Sequence, residues 1–93
     1  MNYQIVWDPK ARDFLRKLNK PEAQRIIKKV NSIVDCPRHY LETLVDIAAY
    51  KLRAGDYRIL INLDETNKVI SVILIGHRKD VYQEIQRTGF RQK

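Results

Sequence analysis

Ninety-three residues, 44% of them hydrophobic, suffice for one small folded domain and are too apolar for a disordered chain. Eighteen Lys and Arg against eleven Asp and Glu leave a formal charge of +7, which favours a polyanionic partner. The single cysteine, Cys36, rules out a disulfide scaffold; with no signal-peptide pattern and no run near the ~18 apolar residues of a membrane span, a cytoplasmic domain over residues 1–93 is expected, with no membrane contact.

Tyr3 to Trp7, rich in aromatic and β-branched residues, predicts a first strand. Asp8 and Pro9 form a helix start, the acid as cap and the proline at the first helical position. Ala11, Phe14, Leu15 and Leu18 then follow at the spacing of one helical face. Pro21 opens a second helix whose apolar set is Ala23, Ile26, Ile27, Val30, Ile33 and Val34, ended by Cys36 and Pro37. The two helices read as a hairpin covering one face of a sheet. Cys36 itself is expected to be a small buried residue and not a nucleophile.

After an irregular stretch from Arg38 to Asp46 the period changes to that of strands. Ala49 to Arg53 is a strand, Ala54-Gly55 its turn, and Asp56 to Leu63 the next strand. Asp64 to Asn67 is a second turn, and Lys68 to Gly76 a third strand. Val69, Ile70 and the run Val72 to Ile75 are apolar on both faces, which predicts a central strand covered on each side. Asp80 with Gln83 resembles a capping box that opens a last helix, and Gly89 would end it. The expected fold is α+β in the order β-α-α-β-β-β-α: a helical hairpin on a small, twisted, mainly antiparallel sheet, with a short C-terminal helix.

With Ala54-Gly55 as a two-residue turn, Arg53 pairs with Asp56, Leu52 with Tyr57, and Lys51 lies opposite Arg58. Like charges opposed across strands oppose folding by about 0.2–1 kcal/mol, and a bound anion would turn that repulsion into shared attraction. A four-residue second loop pairs Leu63 with Lys68 and returns the strand end near Gly76 to the same end of the sheet. Lys51, Arg53, Arg58, Arg78, Lys79 and Tyr82, distant in sequence, are therefore expected to converge.

The sequence lacks the parts of several chemistries. It has no HExxH, no Cys/His pair at zinc spacing, no phosphate-cradling glycine loop and no nucleophile elbow around Ser32 or Ser71. No cofactor is expected. RNA cleavage needs none of these parts, because the 2′-hydroxyl of the substrate is itself the nucleophile. The protein must then hold the phosphate, stabilise charge on its oxygens and help move two protons. Arginines suit the first two tasks, since they contact phosphate in bidentate fashion and stay charged. Lys51, among other cations, is expected to lose its proton more readily than a free lysine. Tyr82 is read as a proton carrier, a base-stacking ring or a helix residue packed on the sheet, and His77 as an acid–base group or a structural strand-end residue. Tyr57 is read as core.

Lys51-Leu52-Arg53-Ala54-Gly55-Asp56-Tyr57-Arg58 resembles the K-L-R-x-G-x-Y-R signature of the RelE/ParE toxin superfamily, and Gly76-His77-Arg78-Lys79-Asp80-Val81-Tyr82 resembles that family's G-H-R-x-x-x-Y segment. Length, charge and element order resemble the family too. The resemblance implies a toxin of a type II toxin–antitoxin system: a metal-free endoribonuclease that enters the ribosomal A site and cuts messenger RNA. It implies catalytic roles for Lys51, Arg58, Arg78 and Tyr82 and an RNA-contacting role for Arg53, with His77 and Lys79 beside them. It also implies a RelB-like antitoxin whose extended chain wraps the toxin. Some members carry a second lysine two residues before the Lys51 equivalent, where this chain has Ala49. Two other readings share the features: a ParE-like toxin that inhibits a DNA topoisomerase by binding, and a non-catalytic RNA-binding module.

Overall fold

The computed structural model describes residues 2–44 and 49–77. Strand β1 (Gln4–Trp7) leads into α1 (Pro9–Lys17) and α2 (Lys20–Asn31). A four-residue helical turn, α3 (Pro37–Tyr40), and a two-residue strand, β2 (Glu42–Thr43), precede β3 (Tyr50–Ala54), β4 (Tyr57–Asp64) and β5 (Val69–His77). The sheet order is β1-β5-β4-β3-β2; β1 runs parallel to β5, and the other pairings are antiparallel. The result is the expected α+β arrangement of helices on a mainly antiparallel sheet. The predicted C-terminal helix lies outside the described residues.

Pro9 occupies the first turn of α1, and Asp8 holds the N-cap position through its backbone carbonyl, which accepts from Arg12 N at 3.0 Å; its carboxylate makes no capping bond. Arg16 and Lys17 in the last turn complement the helix dipole. The second helix is shorter than its apolar spacing predicts. It ends at Asn31, so Ile33 and Val34 lie beyond it, and Ile33 is nevertheless fully buried. Ile27, expected on the apolar face, is exposed. Pro37 does not close α2 but starts α3, where a missing N–H costs nothing. Cys36, just before it, is exposed and not buried as expected, because the break after α2 leaves it outside the core.

Strand alternation builds the core. Leu52 and Ala54 of β3, Tyr57, Ile59 and Ile61 of β4, and Ile70, Val72 and Ile75 of β5 all face Ala11, Ile26, Val30 and Ile33. Phe14 of α1 meets Tyr57 edge-on, ring centroids 6.0 Å apart. The apolar run in β5 has a specific cause. Leu60 pairs with Leu74 but Ile61 pairs with Val72, so Ile73 is an extra, bulged residue and the alternation inverts there. Ile70 and Val72 before the bulge and Ile75 after it thus point to the helices, while Leu74 joins Leu60 and Ala49 in a second small cluster on the other face.

The turns differ from expectation by one residue. Gly55-Asp56, not Ala54-Gly55, joins β3 to β4, and Ala54 pairs with Tyr57. Two-residue hairpin turns of either primed type need positive φ at their first position. Gly55 has φ of 61°, whereas the expected turn would force that conformation on Ala54. The next loop likewise runs over residues 65–68, pairing Asp64 with Val69 and Leu63 with Ile70, not with Lys68.

That loop is tied to α3. Arg38 donates from Nε to Glu65 Oε2 at 2.6 Å and from Nη2 to Oε1 at 2.9 Å. The guanidinium holds the Glu65 carboxyl below its ordinary pKa, and the Asn67 side chain and backbone do the same for Asp64. A depressed carboxyl pKa in the folded state adds stability above the ordinary carboxylate range near about pH 4, and that stability is lost as pH falls below it. Melting temperature should therefore fall more steeply between about pH 5 and about pH 3 in the wild type than in Glu65→Gln. Parallel curves would show that this pair adds nothing to folding.

Candidate functional site: a cationic sheet face

The hairpin register sets the site. Arg53 pairs directly with Arg58, and Lys51 with Leu60. Lys51, Arg53 and Arg58 therefore share the sheet face opposite the helices. The Lys51–Arg58 pairing expected from the sequence does not occur, since the turn sits one residue later, but the shared face survives. Moving a two-residue turn by one shifts both strands together and leaves each side chain on its face. The like-charged pair is Arg53 with Arg58.

Arg58 is only 9% exposed, the one charged side chain among the buried described residues. Its Nη1 donates to the Gly55 carbonyl at 3.1 Å and to the Tyr57 carbonyl at 3.0 Å. These bonds fix the guanidinium against its own hairpin. A head held in this way loses little further freedom when its remaining donors meet an anion. Arg53 across the ladder is exposed, so the pair offers one fixed and one adaptable guanidinium.

Lys51 is largely covered, with its side chain 17% exposed, and Glu42 Oε2 lies 3.4 Å from Nζ. No sequence pattern points to Glu42. It reaches the site through the pairing of β2 with β3, which places it opposite Lys51, and a two-residue strand leaves no periodicity to detect. Ala49 is buried against Leu60 and Leu74, so the position where some superfamily members have lysine is filled here by a small apolar contact.

The end of β5 returns beside the hairpin as expected: Gly76 pairs with Arg58 and His77 with Tyr57. His77 belongs to the opposite face from Arg58. Its exposed ring leans on Tyr57, centroids 4.8 Å apart and planes tilted by 33°. Tyr57 is core, as expected, and its phenol is held above its ordinary pKa, first by burial and next by the Glu22 carboxylate. Arg78, Lys79 and Tyr82 lie outside the described residues. Among the described residues, no group of three or more His, Cys, Asp or Glu side chains could hold a metal ion, and no helix is long and apolar enough to cross a membrane.

The face as described can hold an anion, with a fixed arginine, a second arginine opposite it and a lysine two residues along the strand. The chain is 29% identical over 89 residues to the mRNA interferase toxin RelE of Escherichia coli, covering 90% of this chain and 94% of that protein. It superimposes on an arginine-to-alanine double mutant of E. coli RelE in the free state with a TM-score of 0.70 and 27% identity, over 95% of this chain and 98% of the other. The toxin–antitoxin complex RelBE of Mycobacterium tuberculosis contains a chain of the same fold, with a TM-score of 0.77 at 20% identity over 84% of this chain and 100% of that one. Since a family model described as the ParE toxin of type II toxin–antitoxin systems also matches residues 5–82, the chain belongs to the RelE/ParE toxin superfamily.

Proposed function

We propose that this chain is the toxin of a type II toxin–antitoxin pair and an endoribonuclease that cuts messenger RNA in the ribosomal A site. The observation that carries the reading is Arg58, nearly buried yet opposite a second arginine on an anion-ready face. Folding accounts for Arg58 through its two carbonyl bonds, but gives no reason to set a second arginine opposite it.

In the proposed reaction the 2′-oxygen attacks the adjacent phosphorus in line, and the bond from phosphorus to the 5′-oxygen breaks. A 2′,3′-cyclic phosphate and a 5′-hydroxyl result. One proton leaves the 2′-hydroxyl and one reaches the departing oxygen, so no metal is required for balance. Arg58 and Arg78 stabilise charge on the non-bridging oxygens, and Arg53 and Lys79 hold flanking RNA. Lys51, beside Glu42, together with Tyr82 supplies the groups that move the two protons, while His77, on the sheet face opposite Arg58, stacks on Tyr57 and takes no part. The reading also takes a RelB-like antitoxin as partner, in line with the relatives solved as toxin–antitoxin complexes.

The test is a translation reaction on a defined messenger, with 5′ ends mapped by primer extension. Cuts inside A-site codons, absent with Arg58→Ala and with Arg78→Ala, are expected. Uncut messenger would reject the nuclease. The matching family model carries the name ParE, which keeps the ParE-like alternative, inhibition of a DNA topoisomerase by binding, as the one second reading. Growth arrest with intact messenger and altered plasmid supercoiling would establish that reading instead.

A further inference from the structure

A second cationic feature lies outside the face just described. Arg25, Lys28 and Lys29 of α2 line, with Arg53, a groove of about 360 Å³, whose other described lining residues are Ser32, Ala54 and Gly55. Residues 25, 28, 29 and 32 are spaced i, i+3, i+4, i+7 and form a single stripe of the helix. Arg25 sets like charge against both Lys28 and Lys29 at those spacings, which works against the helix. Lys28 and Lys29 in the last turn suit the helix dipole, but Arg25 lies too far from that end to do so. Among the described residues, Arg25 is ion-paired only with Glu22, 3.8 Å away on the preceding turn, which does not line the groove.

The groove and the cationic face meet at the hairpin tip. Arg25 Nη1 would lie 3.5 Å from a Cβ built on Gly55, an ordinary contact, so the guanidinium rests beside the tip, where the φ of 61° is what favours glycine. On the other side, Arg58 donates to the Gly55 carbonyl. A cationic path thus runs from Arg58 and Arg53 round the tip to Arg25, Lys28 and Lys29.

We infer that this groove binds the sugar-phosphate backbone of the same RNA strand whose scissile phosphate sits on the Arg58 face. The inference rests on the proposed function only for the identity of the strand. RNA is favoured over an acidic peptide because the lining, among the described residues, holds no large apolar side chain, and protein partners need such an anchor at the centre of an interface. Cations and small residues alone match a phosphate chain.

The test uses the full-length protein and 2′-O-methyl RNA, which lacks the nucleophile and stays uncut, as a dodecanucleotide and a trinucleotide. Binding is followed by fluorescence anisotropy across salt concentrations. Each phosphate contact adds roughly 0.7 to the log–log salt slope for single strands. Arg25→Gln/Lys28→Gln/Lys29→Gln should therefore lower the dodecanucleotide slope by about 2 and its affinity about 10- to 100-fold at low salt. The trinucleotide should bind the variant as it binds wild type, and one dodecanucleotide should bind per protein. Lys28→Gln/Lys29→Gln should give about two-thirds of the slope change, and both variants should melt as the wild type does.

An unchanged slope in the triple variant, with binding lost in Arg58→Gln, would overturn the groove and leave the nuclease reading standing. A slope lost in the triple variant but kept in Arg58→Gln would support the groove and count against the Arg58 face. Two strands per protein would overturn the single-strand path. An acidic peptide of equal charge that binds as tightly, and is lost equally in the triple variant, would overturn RNA as the occupant. Wild type without salt-dependent binding would overturn the groove outright.

Discussion

Replacing Arg58 by alanine should reduce A-site cleavage by about 10³-fold or more, the scale on which arginines that stabilise a phosphoryl transition state act. The protein should remain folded. Truncation leaves the Gly55 and Tyr57 carbonyls without their guanidinium donor, a loss of about 1–3 kcal/mol. Relief of the repulsion with Arg53 returns about 0.2–1 kcal/mol, so a modest net destabilisation is expected. Arg53→Ala relieves the same repulsion and orphans no described acceptor, so it should leave stability unchanged or slightly raised. Arg58→Lys keeps the charge and loses the fork; it should cut measurably but far below wild type. Cleavage by Arg58→Ala within a few-fold of wild type would remove Arg58 from the reaction.

Ile59→Ala should be the most damaging core change, costing about 2–5 kcal/mol. Ile59 is fully buried in β4, between Leu52 and Ile75 on neighbouring strands, and faces the helices. Total stability at this size is about 5–15 kcal/mol, and each kcal/mol shifts melting by about 4–8 °C, so a drop of at least about 8 °C is expected. Leu60, next in sequence and equally buried, points to the other face and the smaller cluster with Ala49 and Leu74. Leu60→Ala should cost less, because fewer residues surround the void, and should disturb the face that carries Lys51. Thermal melts of both variants, read beside cleavage assays, check this. Equal losses of stability would mean that the second cluster is as firmly packed as the main core.

Much of the arrangement is legible in the order of residues alone. Pro9 and Pro21 mark two helix starts, β-branched runs mark the strands, and Lys51, Arg53 and Arg58 fall on one face under either turn assignment. The hairpin register read from the sequence is off by one residue, although the deciding signal is local: a positive φ at the first turn position favours Gly55 over Ala54. The apolar run in β5 conceals a bulge, because Ile73, Leu74 and Ile75 are alike in hydrophobicity and only pairing distinguishes them.

The sequence by itself determined the types of the longer elements, most of the helix-facing core and the identity of the cations, because side-chain period and backbone preference are local properties; α3 and β2 are too short to carry a period. Only the tertiary structure decided that Glu42 reaches Lys51, that His77 stands on Tyr57 across the sheet from Arg58, and that Arg25, Lys28 and Lys29 of α2 line a groove with Arg53. These are meetings between segments far apart in the chain, set by strand order and helix docking, which no periodicity within one segment records.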